Sequence, residues 1–271
     1  MFKLLALDMD GTTLTSEKKI TSQTAGAINN LLKSGIHVVV ASGRCLAEMS
    51  DYKEEFKNIR YMILTSGGLV YDLFEDRPIS LHSVSFEDCI KLIELGKMED
   101  AMIHLLTIRD SIASPHDIEH IADFGMSVYY NMFNRICVKC EDLKRYAIEH
   151  KEDIMKVNIY HRSIESRERT VARLKDSNLQ LVYAEAANLE ASPLGVTKAS
   201  GLIELCEHLN IDLADTVAIG DAPNDIEVLK TVGYSVAMGN AIDEVKQIAD
   251  FITTDNDHDG VLYAIKRIYE M

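Results

Sequence analysis

The chain has 271 residues, and 43 acidic against 28 basic side chains leave a formal charge of −15 with the histidines neutral. That balance argues against a nucleic-acid partner, which needs a basic face to displace counterions, and against anionic membrane surfaces. With 47% hydrophobic and 26% charged residues, the composition is that of an ordinary globular protein, long enough for one large domain or two modest ones. The amino-terminal apolar run meets Asp8 too early for a signal peptide, and no run approaches the roughly 18 apolar residues of a membrane span. Five scattered cysteines suit a reducing compartment, so a cytoplasmic location is expected.

Short β-branched or leucine-rich runs alternate with stretches of helical period, the pattern of a parallel sheet flanked by helices. In chain order the spacing predicts a strand over Lys3 to Leu7 and a helix from about Thr21 to Lys33, stopped by Gly35. A fully apolar strand over Ile36 to Ala41 and another over Tyr61 to Thr65 follow. The middle reads differently, with helical pieces at Phe86 to Met98 and Glu141 to Glu149. Strand-like pieces are expected at Met126 to Met132, Met155 to Tyr160 and Gln180 to Tyr183. A helix over Ala199 to Leu209 then returns to the first pattern, followed by strands at Thr216 to Ile219, Tyr234 to Met238 and Phe251 to Thr253. The simplest organisation is a core of residues 1–82 plus 188–271 with a second α/β domain, residues 83–187, inserted into it. Candidate hinges are Ile79 to Ser85 and Glu185 to Leu194.

Ligands of open α/β sheets bind beyond the carboxyl ends of the strands, and four such places carry chemistry. The first strand ends in Asp8-Met9-Asp10-Gly11-Thr12, where residues two apart point the same way, so Asp8 and Asp10 share a side. Two carboxylates that close repel unless a cation joins them. The second strand ends in Ser42-Gly43, a hydroxyl and a flexible backbone N–H. Lys198 falls in the first turn of its helix, where the dipole disfavours a cation and hints at an anionic partner; on its own it reads as a solvated surface lysine. The fourth place is Gly220-Asp221-Ala222-Pro223-Asn224-Asp225, where a strand delivers Asp221 and a helix begins near Pro223. Carboxylates without His or Cys suit Mg²⁺, and Mg²⁺, lysine and turn amides together point to a phosphoryl substrate.

Taken in this order, Asp8-Met-Asp10-Gly-Thr12, Ser42, Lys198 and Gly220-Asp221-Ala-Pro-Asn224-Asp225 resemble the four motifs of the haloacid dehalogenase-like hydrolase superfamily. The closest branch is the Cof-type phosphatases, whose large α/β cap sits between the second and third motifs. Val236-Ala-Met-Gly-Asn240-Ala, Thr253-Thr254-Asp255-Asn256 and Asp259-Gly260-Val261 are also similar to that branch. The resemblance implies an α/β fold with a Rossmann-like parallel sheet core and an inserted α/β cap that sets substrate specificity. It implies a Mg²⁺-dependent phosphatase acting on small phosphorylated metabolites such as sugar phosphates, nucleotides or cofactor phosphates. Asp8 would be the nucleophile that becomes an aspartyl-phosphate, and Asp10 the general acid and base. Mg²⁺ would be held by the Asp8 carboxylate, the Asp10 carbonyl and Asp221, with Asn224 and Asp225 on bound water, metal or phosphate. Ser42, the Gly43 N–H and Lys198 would hold phosphate oxygens. Ser66-Gly67-Gly68 departs from the Asn-Gly frequent in the family, and Ala199 stands where Gly is frequent.

Other motifs are read as structural. Asp255-Asn-Asp257-His-Asp259-Gly260 fits the start of a calcium loop but has Lys266 at the twelfth position, which rejects an EF-hand. Cys137-Val-Lys-Cys140 reads as two cysteines in a strand-like stretch. His104, His116, His120 and His161 are compatible with surface positions, while Met126, Tyr129, Tyr130 and Met132 suit the cap core. A phosphomutase, or a phospholigand-binding protein without turnover, stands as the alternative to a phosphatase. The pattern carries no sign of oligomeric state.

Overall fold

A computed structural model describes residues 2–150, 153–184 and 187–269. The chain divides into two units, one of Met1–Gly43, Asp51–Ser80 and Thr197–Met271, and one of Arg44–Ser50 and Leu81–Val196. Among the described residues the first unit is built on an eight-stranded sheet. Its early strands are β1 (Leu4–Leu7), β2 (His37–Ala41), β3 (Tyr61–Leu64), β4 (Leu69–Asp72) and β5 (Arg77–Leu81). The second unit supplies β6 (Met102–Leu106), β7 (Ser111–Ala113), β8 (Val138–Lys139), β9 (Lys156–Tyr160), β10 (Leu179–Ala184) and β11 (Asn188–Pro193). The first sheet is then completed by β12 (Thr216–Gly220), β13 (Tyr234–Ala237) and β14 (Phe251–Ile252).

The first sheet runs β14-β13-β12-β1-β2-β3-β4-β5. Strands from β14 to β3 are parallel, whereas β4 turns back against β3, so the expected parallel sheet has an antiparallel edge. β1 lies between β12 and β2, and all four of its residues are buried, as a central strand covered on both faces requires. Helix α1 (Ser22–Lys33) is capped by the Thr21 hydroxyl, which accepts from the Thr24 N–H, and buries Ala27, Ile28 and Leu31 at helical spacing.

The second unit is a six-stranded, mostly antiparallel sheet in the order β10-β11-β9-β6-β7-β8. Helices α2 (Phe86–Met98), α3 (Pro115–Glu119), α4 (Tyr130–Ile136), α5 (Leu143–Glu149) and α6 (Ile164–Leu174) accompany it. The expected division at 187/188 shifts to Val196, because β11 pairs with β9 on one side and β10 on the other. The first division shifts from 82/83 to Ser80, and Arg44–Ser50 joins the second unit. Of the second expected hinge, Glu185 and Ala186 lie outside the described residues, and Asn188–Pro193 is strand.

Met126 to Met132 is not a strand. It forms a 3₁₀ turn leading into α4, and Met126, Tyr129 and Phe133 are buried at helical spacing in one apolar cluster. Tyr130 stands exposed. His104 and His161, compatible with surface positions from the sequence, are buried; each ring has a hydrogen-bond partner for both nitrogens. Cys137 and Cys140 are free thiols, and burial pushes Cys137 up to about 11. Among the described residues no helix is long and apolar enough to cross a membrane.

Candidate active site

β1 delivers Asp8 to the carboxyl edge of the first sheet, where its N–H donates to the Ile219 carbonyl of β12 at 3.1 Å. Met9 turns the other way and is fully buried. The chain then folds back on itself: Leu14 N–H donates to the Met9 carbonyl at 2.8 Å and the Thr13 hydroxyl to the Asp8 carbonyl at 2.5 Å. Gly11 has φ +81, and a side chain there would collide with the Asp221 carboxylate, so both the conformation and the close approach require glycine. Thr12, 2% exposed, donates its hydroxyl to Asp221 Oδ1 at 2.6 Å. The motif glycine and threonine therefore position a carboxylate 209 residues away.

Helix α7 (Lys198–Leu209) begins with a capping box between Thr197 and Ser200. Its amino-terminal turn is wedged against the β3–β4 turn, where Gly67 at φ +101 lies against the Thr197 carbonyl and Gly201 packs on Ile63. This contact sinks Lys198, which is 1% exposed, not solvated. Its Nζ donates to Asp8 Oδ1 at 2.5 Å and to Asp225 Oδ1 at 2.7 Å. Asp225 in turn accepts from the Asp221 and Ala222 N–H groups at 3.0 and 3.1 Å through Oδ2. Gly220 leaves no room for a Cβ beside it, since the Asp225 carboxylate carbon would stand 2.5 Å away.

Asp8, Asp221 and Asp225 bring one carboxylate oxygen each within 4.8 Å of one another, with a single ammonium among them. Burial, together with the repulsion of Asp225 and Asp221, raises the Asp8 pKa well above its ordinary value although Lys198 pulls it down. Burial chiefly, with Asp225 adding to it and the Thr12 hydroxyl opposing it, pushes Asp221 up to about 6. Burial also opposes the Lys198 ammonium, but Asp225 and Asp8 outweigh it and raise its pKa, so the lysine stays charged. Three carboxylates against one ammonium leave negative charge that a cation would neutralise. All-oxygen donors suit a hard divalent ion. The Asn224 Oδ1 beside them is buried without a hydrogen-bond partner, as a group awaiting a water or an ion would be.

The remaining expected residues fall nearby. Ser42, 2% exposed, follows β2 on the same edge of the sheet; its N–H donates to Ile63 and its carbonyl accepts from Ser66 N–H. Gly43 is the last residue of that unit before Arg44. The Asp10 side chain stands apart from the three-carboxylate group and pairs with Lys18 at 2.8 Å, a lysine held at φ +59. No motif marks Lys18; its one sequence signal is a cation eight residues after Asp10. Asn240 also has a place: its Nδ2 donates to the Gly11 carbonyl at 2.8 Å and its Oδ1 accepts from Asn256 N–H at 3.0 Å. The calcium-like loop is occupied by its own neighbours, with Asp257 bonded to Ser16, Asp259 to Thr21 and Asp255 to His258.

The profile of the haloacid dehalogenase-like hydrolases matches residues 5–265. The 5-amino-6-(5-phospho-D-ribitylamino)uracil phosphatase YcsE of Bacillus subtilis (strain 168) is 28% identical over 264 residues, which cover 97% of this chain and 94% of that protein. Phosphatase YwpJ of the same organism is 25% identical over 293 residues, covering 98% and 99%. A haloacid dehalogenase-like hydrolase from B. subtilis aligns in structure with a TM-score of 0.86 at 26% identity, over 98% of this chain and 99% of that one. The chain thus belongs to the haloacid dehalogenase-like hydrolase superfamily, in its Cof-type branch, and is a phosphatase.

Proposed function

We propose that this phosphatase hydrolyses phosphate monoesters of small metabolites with Mg²⁺ as its metal, Asp8 as nucleophile and Asp10 as general acid and base. The observation that carries this reading is the buried Lys198 bridging Asp8 and Asp225, with Asp221 completing three carboxylates within 4.8 Å. Asp8, Asp221 and Asp225, with the Asp10 carbonyl and Asn224 beside them, would hold the Mg²⁺, and the bound ion would neutralise charge on the phosphoryl oxygens.

Asp8 attacks the phosphorus as the ester P–O bond breaks, and Asp10 gives its proton to the departing alkoxide. A water molecule then attacks the phosphorus of the aspartyl-phosphate and loses its proton to Asp10. Inorganic phosphate leaves, and the Asp8 carboxylate is restored. Lys198, the Ser42 hydroxyl and the Gly43 N–H hold the phosphoryl oxygens throughout. In the resting chain Lys18 pairs with Asp10. The second unit is assigned to the choice of substrate. The name of the relative YcsE gives it a small phosphorylated substrate, which supports the same class here, and the acidic exterior disfavours polyanions.

The test is release of inorganic phosphate from p-nitrophenyl phosphate and a panel of metabolite phosphates in Mg²⁺, with hydroxylamine trapping of the acyl-phosphate. Asp8→Asn is expected to lose both while keeping its circular dichroism spectrum. Wild-type protein that releases no phosphate from any compound would refute the reading, and phosphate retained on an isomerised product would identify a mutase.

A further inference from the structure

Beyond Thr12 the first motif runs into a closed turn. The Thr15 N–H donates to the Lys19 carbonyl at 2.9 Å, and the Lys18 N–H to the Thr15 carbonyl at 2.8 Å. Neighbours in the first unit tie this turn down. Asn256 Nδ2 donates to the Leu14 carbonyl at 2.9 Å, the Asp257 carboxylate accepts from the Ser16 N–H and hydroxyl at 2.8 and 2.7 Å, and the Tyr52 hydroxyl donates to the Lys18 carbonyl at 3.2 Å. Within the turn Lys18 adopts φ +59. A left-handed position of this kind is served best by glycine or asparagine, and a lysine there carries a steric cost. Strain kept in a well-tied segment points to the work of the side chain it carries.

That side chain reaches back to the first motif. Lys18 Nζ donates to Asp10 Oδ1 at 2.8 Å, between side chains only 27% and 30% exposed. The adjoining pair of Lys19 and Glu17 is 74% and 76% exposed, the kind of surface ion pair that holds little in place. Asp10 has reason to be held. Its charge already reaches Asp221, whose pKa it helps to raise, and a divalent ion among Asp8, Asp221 and Asp225 would draw a further carboxylate inward. A carboxylate taken up as a ligand is lost to proton exchange with a leaving group or a water. The Lys18 ammonium pulls the other way, from a backbone tied to its surroundings.

We propose that Lys18 is a positioning residue of the phosphatase, holding the Asp10 carboxylate apart from Asp8, Asp221 and Asp225 so that it serves proton transfer and not the metal. The inference rests on the role given to Asp10 above. It requires a cation at the end of a long stem, so arginine should replace Lys18 in large part and an apolar side chain should not.

The experiment has a kinetic arm and a binding arm. Lys18→Met is expected to lower kcat/KM on an alkyl phosphate about tenfold and to leave p-nitrophenyl phosphate within about twofold. Lys18→Arg is expected to stay within about threefold of wild type on both esters. In an Asp10→Asn background Lys18→Met is expected to cost no more than about twofold on either ester, because the group it positions is gone. In the binding arm Mn²⁺ is titrated without substrate and followed by electron paramagnetic resonance. Lys18→Met is expected to bind the ion about threefold or more tighter than wild type, and the gain is expected to vanish in the Asp10→Asn background. Lys18→Gly, which suits the left-handed backbone, serves if the methionine variant does not fold, with the same changes expected. Equal losses on the two esters, no loss on either, unchanged Mn²⁺ affinity, or a tightening that persists without the Asp10 carboxylate would overturn the proposal while leaving the phosphatase reading in place. An Asp10→Asn variant with no alkyl-selective loss of its own would overturn the role of Asp10 and this proposal with it. Wild type without phosphate release even from p-nitrophenyl phosphate would overturn the phosphatase reading itself.

Discussion

Replacing Asp221 by Asn should make the metal-free protein more stable while destroying its metal site. The Asp221 carboxyl titrates near 6 where an ordinary aspartate titrates at 3.8. A raised folded-state pKa means that the folded chain binds this proton more tightly than the unfolded chain does. The ionised carboxylate therefore costs stability in full above about pH 6, and the cost fades as the pH falls toward 3.8. At 1.36 kcal/mol per unit the cost is about 3 kcal/mol near pH 8, falling to about 1 kcal/mol near pH 4.5. Asn keeps the acceptor for the Thr12 hydroxyl and removes the charge. In EDTA near pH 8, Asp221→Asn should therefore melt about 6 °C or more above wild type, with a smaller gap near pH 4.5. Mg²⁺ at a thousand times Kd should reverse the order, since wild type then gains about 4.1 kcal/mol and the variant binds poorly. A variant less stable than wild type in EDTA near pH 8, or a gap that does not narrow on acidification, would show that the buried Asp221 carboxylate is not held at a cost to the folded chain.

Three further outcomes test individual side chains. Asp10→Asn should slow hydrolysis of alkyl phosphates about 10²-fold or more and of aryl phosphates much less, because a phenolate leaves without a proton; steady-state rates on paired esters check it, and equal losses would remove Asp10 as the acid. Lys198→Met should weaken inhibition by inorganic phosphate and by vanadate at least tenfold, since truncating a buried charge partner also leaves Asp8 and Asp225 facing each other; unchanged inhibition constants would take Lys198 out of the phosphate site. Gly67→Ala forces a methyl group into the Thr197 carbonyl at a φ of +101, so a loss of about 2 kcal/mol or more in urea denaturation is expected, with phosphate affinity falling as the first turn of α7 shifts.

The motif residues were legible because each follows a short apolar run whose length and period announce a buried strand, as in Leu4–Leu7 before Asp8 and Thr216–Gly220 before Asp221. Lys198 was not legible alone. Its burial comes from Gly67 pressing on Thr197 and from an acid 190 residues away, neither of which marks the local sequence. The inserted unit was harder for a related reason. Helix α6 buries Ser166, Thr170 and Leu174, a stripe of mostly hydroxyl side chains that no apolar period reveals. In β6, His104 interrupts an otherwise apolar run, and the structure shows that it belongs to a polar sheet face and is nevertheless buried. Met126 to Met132 misled because closely spaced aromatics and methionines satisfy a strand composition as readily as a helical stripe.

The first sheet places β1 between β2 and β12, strands separated in sequence by residues 42–215. On a ribosome the amino-terminal half of that sheet emerges with an open edge along β1, and the edge stays unpaired until residues 216–220 are made. The second unit, Arg44–Ser50 and Leu81–Val196, lies wholly within the intervening stretch and is synthesised before β12. Vectorial synthesis therefore favours completion of the inserted unit before the enclosing one. During that interval Asp8 has neither Lys198 nor the acids Asp221 and Asp225 around it. The catalytic centre is assembled by the last quarter of the polypeptide, so a truncated nascent chain should be harmless as a phosphatase but vulnerable along the exposed β1 edge to strand pairing with another chain.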